Sequence, residues 1–289
     1  MAVASPLLSS SQVRSALHRL QGIPAWALLS LVINGLLFVT VMVLLRQLGR
    51  AGDMPSAANA FAADQDVAIA PLEPDLGMRH RLDYEQWVAL LAAEAQAVAA
   101  IDAPRQTILL GDSLTLWFPD QMLPGHKTWI NQAISGENTD GLRNRLHLLD
   151  DTSPEAVFMM VGINDLIWGG SAADLVYNVR MMVDYLRQTH PEARLVVQSI
   201  LPHGGESATW EGRDRLAAIP PDLIRQVNDQ LKLVAAETGA DFLNLYPLFV
   251  NGDGYLRADL STDGLHLNEN GYMVWRTALA LFNETDFRP

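Results

Sequence analysis

Five short apolar runs, at residues 107–110, 128–130, 156–161, 195–200 and 242–245, alternate along the chain with segments whose apolar residues recur at helical spacing. This alternation limits the fold more than any other feature. A strand without a polar face must be covered on both sides, and helices that carry the chain back between parallel strands supply both covers. Leu175, Val179, Met182, Val183 and Leu186 mark one helical face; Ile224, Val227, Leu231 and Val234 mark a second; Tyr272, Trp275, Leu279 and Phe282 mark a third. Upstream, Trp87, Leu90, Leu91, Ala95 and Val98 share a face of a helix whose start is signalled by Asp83 and Gln86 in capping-box spacing. The expected class is α/β, with a parallel sheet of about five strands.

Residues 26–45 contain no charged side chain. At a helical rise of about 1.5 Å, a run of about 20 residues spans roughly 30 Å, the thickness of bilayer hydrocarbon. One N-terminal transmembrane helix is therefore expected within residues 24–46, after a short segment 1–23 and before an Ala, Pro and acid-rich linker at 47–80. The globular domain then occupies residues 81–289, and the lipid bilayer is an expected partner. Arg14 and Arg19 before the span nearly balance Arg46 and Arg50 after it. A short basic segment ahead of a first hydrophobic helix behaves as a signal anchor, so the expected localisation is a single-pass membrane protein with its large domain extracytoplasmic.

The formal charge of −13 and pI near 4.8 leave no basic stripe for a phosphate backbone, which excludes nucleic acid as the natural partner. With no cysteine, disulfides, thiolate zinc sites and thiol nucleophiles are excluded as well. His126, His147 and His203 show no metal-ligand spacing. His203, at the end of the fourth run, reads more simply as a surface-loop residue than as a pocket residue. Residues 203–221 are too many for an ordinary strand-to-helix connection; this segment is either a loop over the active site or a solvated excursion.

The first apolar run ends in Gly111-Asp112-Ser113-Leu114. A serine is a weak nucleophile until a base takes its proton, an acid orients the base, and donors await the oxyanion. Near the C-terminus Asp263-Gly264-Leu265-His266 sets an acid three residues before a histidine, just ahead of a helix that Asn268 can cap. After the second run comes Gly136, whose bare backbone N–H can approach a substrate oxygen. After the third comes Gly162-Ile163-Asn164-Asp165, with an amide that can donate. Taken singly, each is an ordinary loop signal.

Together these four blocks resemble those of the SGNH (GDSL) hydrolase family, over residues 105–282. The resemblance implies a flavodoxin-like three-layer α/β/α sandwich and carboxylic ester hydrolysis through an acyl-enzyme, with no metal and no cofactor. It implies Ser113 as nucleophile, His266 as general base and then acid, Asp263 as the orienting acid, and Gly136 and Asn164 as oxyanion donors beside the Ser113 N–H. Asp112 and Asp165 are expected to brace their loops through backbone hydrogen bonds, and Gly111 and Gly162 to permit tight backbone turns. The expected substrates are small acyl esters, either O-acetylated glycans or lysophospholipid-like molecules. An O-acyltransferase using the same site and a noncatalytic envelope binding domain are the alternatives.

Overall fold

A computed structural model of the chain describes residues 82–101 and 103–284. The expected N-terminal segment, transmembrane helix and linker lie outside the described residues. Among the described residues no helix is long and apolar enough to cross a membrane.

The chain runs α1 (Tyr84–Ile101), β1 (Gln106–Gly111), α2 (Ser113–Leu116), β2 (Thr128–Asn131), α3 (Thr139–Arg145) and β3 (Ala156–Met160). It continues through α4 (Ile163–Ile167), α5 (Ala172–Thr189), β4 (Arg194–Gln198), α6 (Arg213–Ala217), α7 (Pro221–Thr238), β5 (Asp241–Leu243), α8 (Tyr246–Phe249) and α9 (Glu269–Glu284). The capping box at the start of α1 forms reciprocally: the Asp83 N–H donates to Gln86 Oε1 at 3.0 Å and the Gln86 N–H to Asp83 Oδ1 at 2.8 Å.

The five strands make one parallel sheet in the order β2-β1-β3-β4-β5. Alternate residues of the central strands enter two separate cores, because successive strand side chains point to opposite faces. Ile108, Leu110, Val157, Met159, Leu195 and Val197 pack with the apolar faces of α5 and α7. Leu109, Phe158, Met160 and Val196 pack with Tyr272, Trp275 and Leu279 of α9. Trp275 is fully buried there, with its indole N–H donating to Gln198 Oε1 at 2.8 Å.

The fifth strand is shorter than its apolar run and only half-buried. The Leu245 and Tyr246 N–H groups both donate to Ser199 Oγ at 2.9 Å, which turns the chain out of the sheet and into α8. β1 lies between β2 and β3, so the three loops that follow these strands open on the same edge of the sheet. In an open parallel sheet, the place where strand order reverses is a crevice between such loops.

Candidate active site

The turn that follows β1 depends on close packing at Gly111. A Cβ there would come within 2.4 Å of the Met160 carbonyl oxygen and 2.2 Å of Thr115 Oγ1. Asp112 caps α2, its Oδ1 accepting the Leu114 N–H at 3.0 Å, so Ser113 is the first residue of that short helix. Complete burial pushes the Asp112 carboxyl up to about 7. From outside the turn, the Tyr272 hydroxyl donates to the Leu114 carbonyl at 3.0 Å and Asn131 Nδ2 to the Thr115 carbonyl at 2.9 Å. Both residues pin the turn onto neighbouring elements.

Ser113 Oγ lies 3.0 Å from His266 Nε2, and both residues are buried. On the other side of the ring, His266 Nδ1 lies 2.7 Å from Asp263 Oδ2. Asp263 Oδ1 accepts the backbone N–H groups of Leu265, at 2.9 Å, and of His266, at 2.7 Å. Burial raises the Asp263 carboxyl, but the bonds from the His266 ring and the two N–H groups outweigh it, and the carboxyl titrates below its ordinary range. A carboxylate held ionised on Nδ1 leaves Nε2 free to accept the serine proton.

The loop carrying this pair is clasped by the segment after β4. Thr209 and Trp210 donate their N–H groups to the Asp263 carbonyl at 2.8 and 2.9 Å, and Gly204 donates to the Gly264 carbonyl at 2.7 Å. Gly264 has φ 87°, and a Cβ on it would lie 2.5 Å from Ala208 Cβ, so the contact requires glycine. Residues 204–210 are thus packed against the Asp263–His266 loop, whereas most of residues 211–220 are exposed.

His203 is a buried structural residue, and its expected place on a surface loop is incorrect. It is 1% exposed; Nδ1 accepts the Gly205 N–H at 3.0 Å and Nε2 lies 3.0 Å from the Ile219 carbonyl. A carbonyl only accepts, so Nε2 carries the proton, and burial lowers the pKa of the ring.

Two further loops follow β2 and β3 on the same edge of the sheet as Ser113. Gly136, after β2, is exposed with φ +78°, and among the described residues no acceptor is paired with its N–H. Asn164, in α4 after β3, donates Nδ2 to the Glu137 carbonyl at 3.0 Å, which uses one amide hydrogen and leaves the other. Gly162 has φ 134° and packs so tightly that a Cβ would lie 2.7 Å from Ile200 Cδ1. Asp165 reaches out of its own loop to the first residue of α3: Oδ2 accepts the Thr139 N–H at 3.0 Å and Oδ1 its hydroxyl at 2.5 Å. Burial raises this carboxyl as well.

Two cavities flank the 135–136 turn. One of about 260 Å³ is walled by Leu82, Tyr84, Trp87, Leu116, Trp117 and Ile134. The other, about 450 Å³, is lined by Tyr84, Asn138, Asp140, Asn144 and Trp168. A larger cavity of about 670 Å³ between α5 and α7 includes none of the residues around Ser113.

The family model of GDSL-like lipases and acylhydrolases matches residues 109–274, more than half of the 289 residues. The chain belongs to this family. The human platelet-activating factor acetylhydrolase IB subunit alpha1 is 27% identical over 183 residues, covering 59% of this chain and 72% of the relative. Among solved structures, a protein from Streptococcus pneumonia provisionally described as a platelet activating factor superposes with TM-score 0.61 at 21% identity. That match covers 71% of this chain and 98% of the other. A GDSL-like lipase from Bacteroides thetaiotaomicron superposes with TM-score 0.53 at 19% identity, covering 67% of this chain and 98% of the other. At these identities the structural likeness shows the fold alone, while membership of the GDSL-like family makes the chain an acyl-ester hydrolase.

Several residues that shape this GDSL site carry no local signal in the sequence. Trp117 lies against the His266 ring, Glu137 holds the Asn164 amide, and Arg145 is buried against Glu137. Their partners are distant in the chain or reached only once loops from different strands meet.

Proposed function

We propose that this GDSL hydrolase cleaves small acyl esters through a Ser113-His266-Asp263 acyl-enzyme mechanism. The observation that carries the reading is the continuous chain of contacts from Ser113 Oγ to His266 Nε2, 3.0 Å, and from His266 Nδ1 to Asp263 Oδ2, 2.7 Å. As Ser113 Oγ attacks the ester carbonyl carbon, its proton passes to His266 Nε2 and the carbonyl oxygen becomes an oxyanion. The donors for that oxygen are the Ser113 N–H at the open start of α2, the Gly136 N–H and the second Asn164 amide hydrogen. Collapse of the tetrahedral species breaks the bond to the alcohol, which leaves with the proton from Nε2. A water then gives its proton to Nε2 and attacks the acyl-Ser113 carbonyl; the acid departs and the serine recovers its proton.

The acyl group is small, and the substrate is an O-acetylated glycan or a lysophospholipid-like ester. The aromatic side chains of Tyr84, Trp117 and Trp168 around the two clefts support a flat ring or an apolar chain beside the turn. The human relative's name specifies an acetylhydrolase, which supports an acetyl ester for this chain. Hydrolysis of a short-chain chromogenic ester by the full chain should vanish in Ser113→Ala; undiminished turnover by the purified variant would refute the assignment. An ester panel from acetyl to long acyl, on sugar and on glycerol backbones, then identifies the alcohol.

We also propose that residues 24–46 anchor the chain in a bilayer, with 47–80 as a tether and 81–289 as the extracytoplasmic hydrolase domain. The uncharged stretch at 26–45 supports this. Retention in the membrane pellet after alkaline carbonate extraction is the expected result, and release would exclude an integral span.

A further inference from the structure

We propose that Arg145 is a positioning residue for the oxyanion donors, its buried guanidinium closing the loop that carries Gly136. The proposal rests on the serine-hydrolase reading above. Arg145 is the last residue of α3, and its side chain is 4% exposed. Its Nη2 donates to the Gln132 carbonyl at 2.7 Å, where the loop leaves β2, and to Glu137 Oε2 at 2.5 Å, where the loop enters α3. Nε donates to Glu137 Oε1 at 2.7 Å. One rigid, planar group therefore spans both ends of the segment 132–137, with Gly136 one residue before the clamped glutamate.

Glu137 is where the two proposed donors meet. Its carboxylate, 1% exposed, takes the Arg145 fork and a third bond from the Tyr84 hydroxyl at 3.1 Å. The carbonyl of the same residue accepts Asn164 Nδ2 at 3.0 Å. A shift of Glu137 would move the Gly136 N–H through the chain and the Asn164 amide through this bond. Gly141 allows the arrangement, since a Cβ there would press on Glu137 Cγ at 3.0 Å.

Stability alone does not account for such a pair. Taking two charges out of water cancels much of their attraction, and apolar side chains of equal volume commonly do as well. What a bidentate guanidinium–carboxylate pair supplies is direction, because the fork fixes both distance and angle. A lysine ammonium is a single point and cannot hold the Gln132 carbonyl and both carboxylate oxygens in this geometry. Tight placement matters at an oxyanion site, where donors must meet the oxygen as its charge develops.

The test uses the full chain with Arg145→Lys and Glu137→Gln, and with Ser113→Ala as control. Active sites are counted with a fluorophosphonate, turnover is measured on a short-chain acetyl ester, and inhibition is measured with a boronic acid that forms a tetrahedral adduct. A positioning role predicts that kcat per titrated site falls about tenfold to a hundredfold, with KM within about threefold. Boronate affinity should weaken in step with kcat. Unchanged kcat per site, with the loss confined to the number of titratable sites or to the melting temperature, would make the pair merely structural and overturn the proposal. If Arg145→Lys does not fold, Glu137→Gln, which keeps the shape of the native side chain, decides by the same criterion. Turnover surviving in Ser113→Ala would refute the hydrolase reading itself, whereas loss there with intact Arg145→Lys turnover would remove only the role of Arg145.

Discussion

The Trp117 ring lies against the imidazole of His266, with ring centroids 4.3 Å apart and planes inclined by 40°. Trp117 immediately follows α2, so the helical turn that begins at Ser113 ends at an aromatic face on the His266 ring. That face limits how the imidazole can rotate and favours the positive charge His266 would gain during the reaction.

Replacing this ring should therefore slow turnover without unfolding the protein. Aromatic contacts of this kind are worth about 0.5–1.5 kcal/mol, so Trp117→Ala should lower kcat roughly 2- to 13-fold. Trp117→Phe should restore most of it. The ring is 42% exposed, so the melting temperature should change little. Equal turnover of Trp117→Ala and the parent on a chromogenic acetyl ester would show that the contact does not act on the base.

Asp263→Asn keeps the shape of the acid but can present an amide N–H to His266 Nδ1, which would place the ring proton on Nε2. The base then faces Ser113 with a proton already in place. In a serine triad this change costs about 10⁴ in kcat, and a comparable loss is expected here. The same substitution removes an ionised carboxyl whose pKa lies below its ordinary range. Such a group contributes stability above its unfolded pKa and loses it as pH falls through the folded value. The parent should thus lose stability relative to Asp263→Asn under acid, which chemical denaturation at stepped pH would register.

Asp112 has the opposite linkage. Burial raises its carboxyl to about 7, well above the value in an unfolded chain. The folded state holds this proton more tightly, so its contribution is complete below the unfolded pKa and is lost as pH rises toward 7. Asp112→Asn, which preserves the cap on Leu114, should gain on the parent across that window by at most about 4 kcal/mol and then hold a constant difference. A stability difference flat from pH 4 to pH 8 would contradict a buried, proton-binding Asp112.

At Gly162 the backbone and the packing act together. With φ 134° the Gly162 backbone is strained for any side chain, and in Gly162→Ala the end of the Ile200 side chain, 2.7 Å from where a Cβ would sit, must also shift. Residues forced into such backbone regions cost about 1–3 kcal/mol. The Asn164 amide is two residues away, so kcat should fall along with the melting temperature. An alanine variant matching the parent in both would show that the turn relaxes freely.

The fold was largely legible before any coordinates. The apolar faces of α5 and α7 are buried at the positions their spacing marks, and α9 buries all of its stripe except the half-buried Phe282, because helical periodicity reports directly which face meets a core. Strand identity was equally plain for β1 and β3, whose runs are buried on both faces. It was poorer at β5, where the Ser199 hydroxyl ends the strand from a distance that no local pattern encodes. His203 misled for a related reason: a polar residue after a strand usually faces water, and only the carbonyl of Ile219 and the N–H of Gly205 show how it is satisfied inside.

By itself, the sequence determined the alternation of strands and helices, the blocks around Ser113, Gly136, Asn164 and His266, and the family they belong to. Those are local properties, set by side-chain period and by short motifs on single loops. The tertiary structure decided how the loops reach one another: Asp165 bonded to Thr139, the Asn164 amide on the Glu137 carbonyl, Arg145 across both ends of one loop, and Trp117 on the His266 ring. The first two contacts join the loops that follow β2 and β3, Arg145 closes the β2 loop on itself, and Trp117 meets the loop before α9; they form because parallel pairing brings the strand ends to one edge of the sheet.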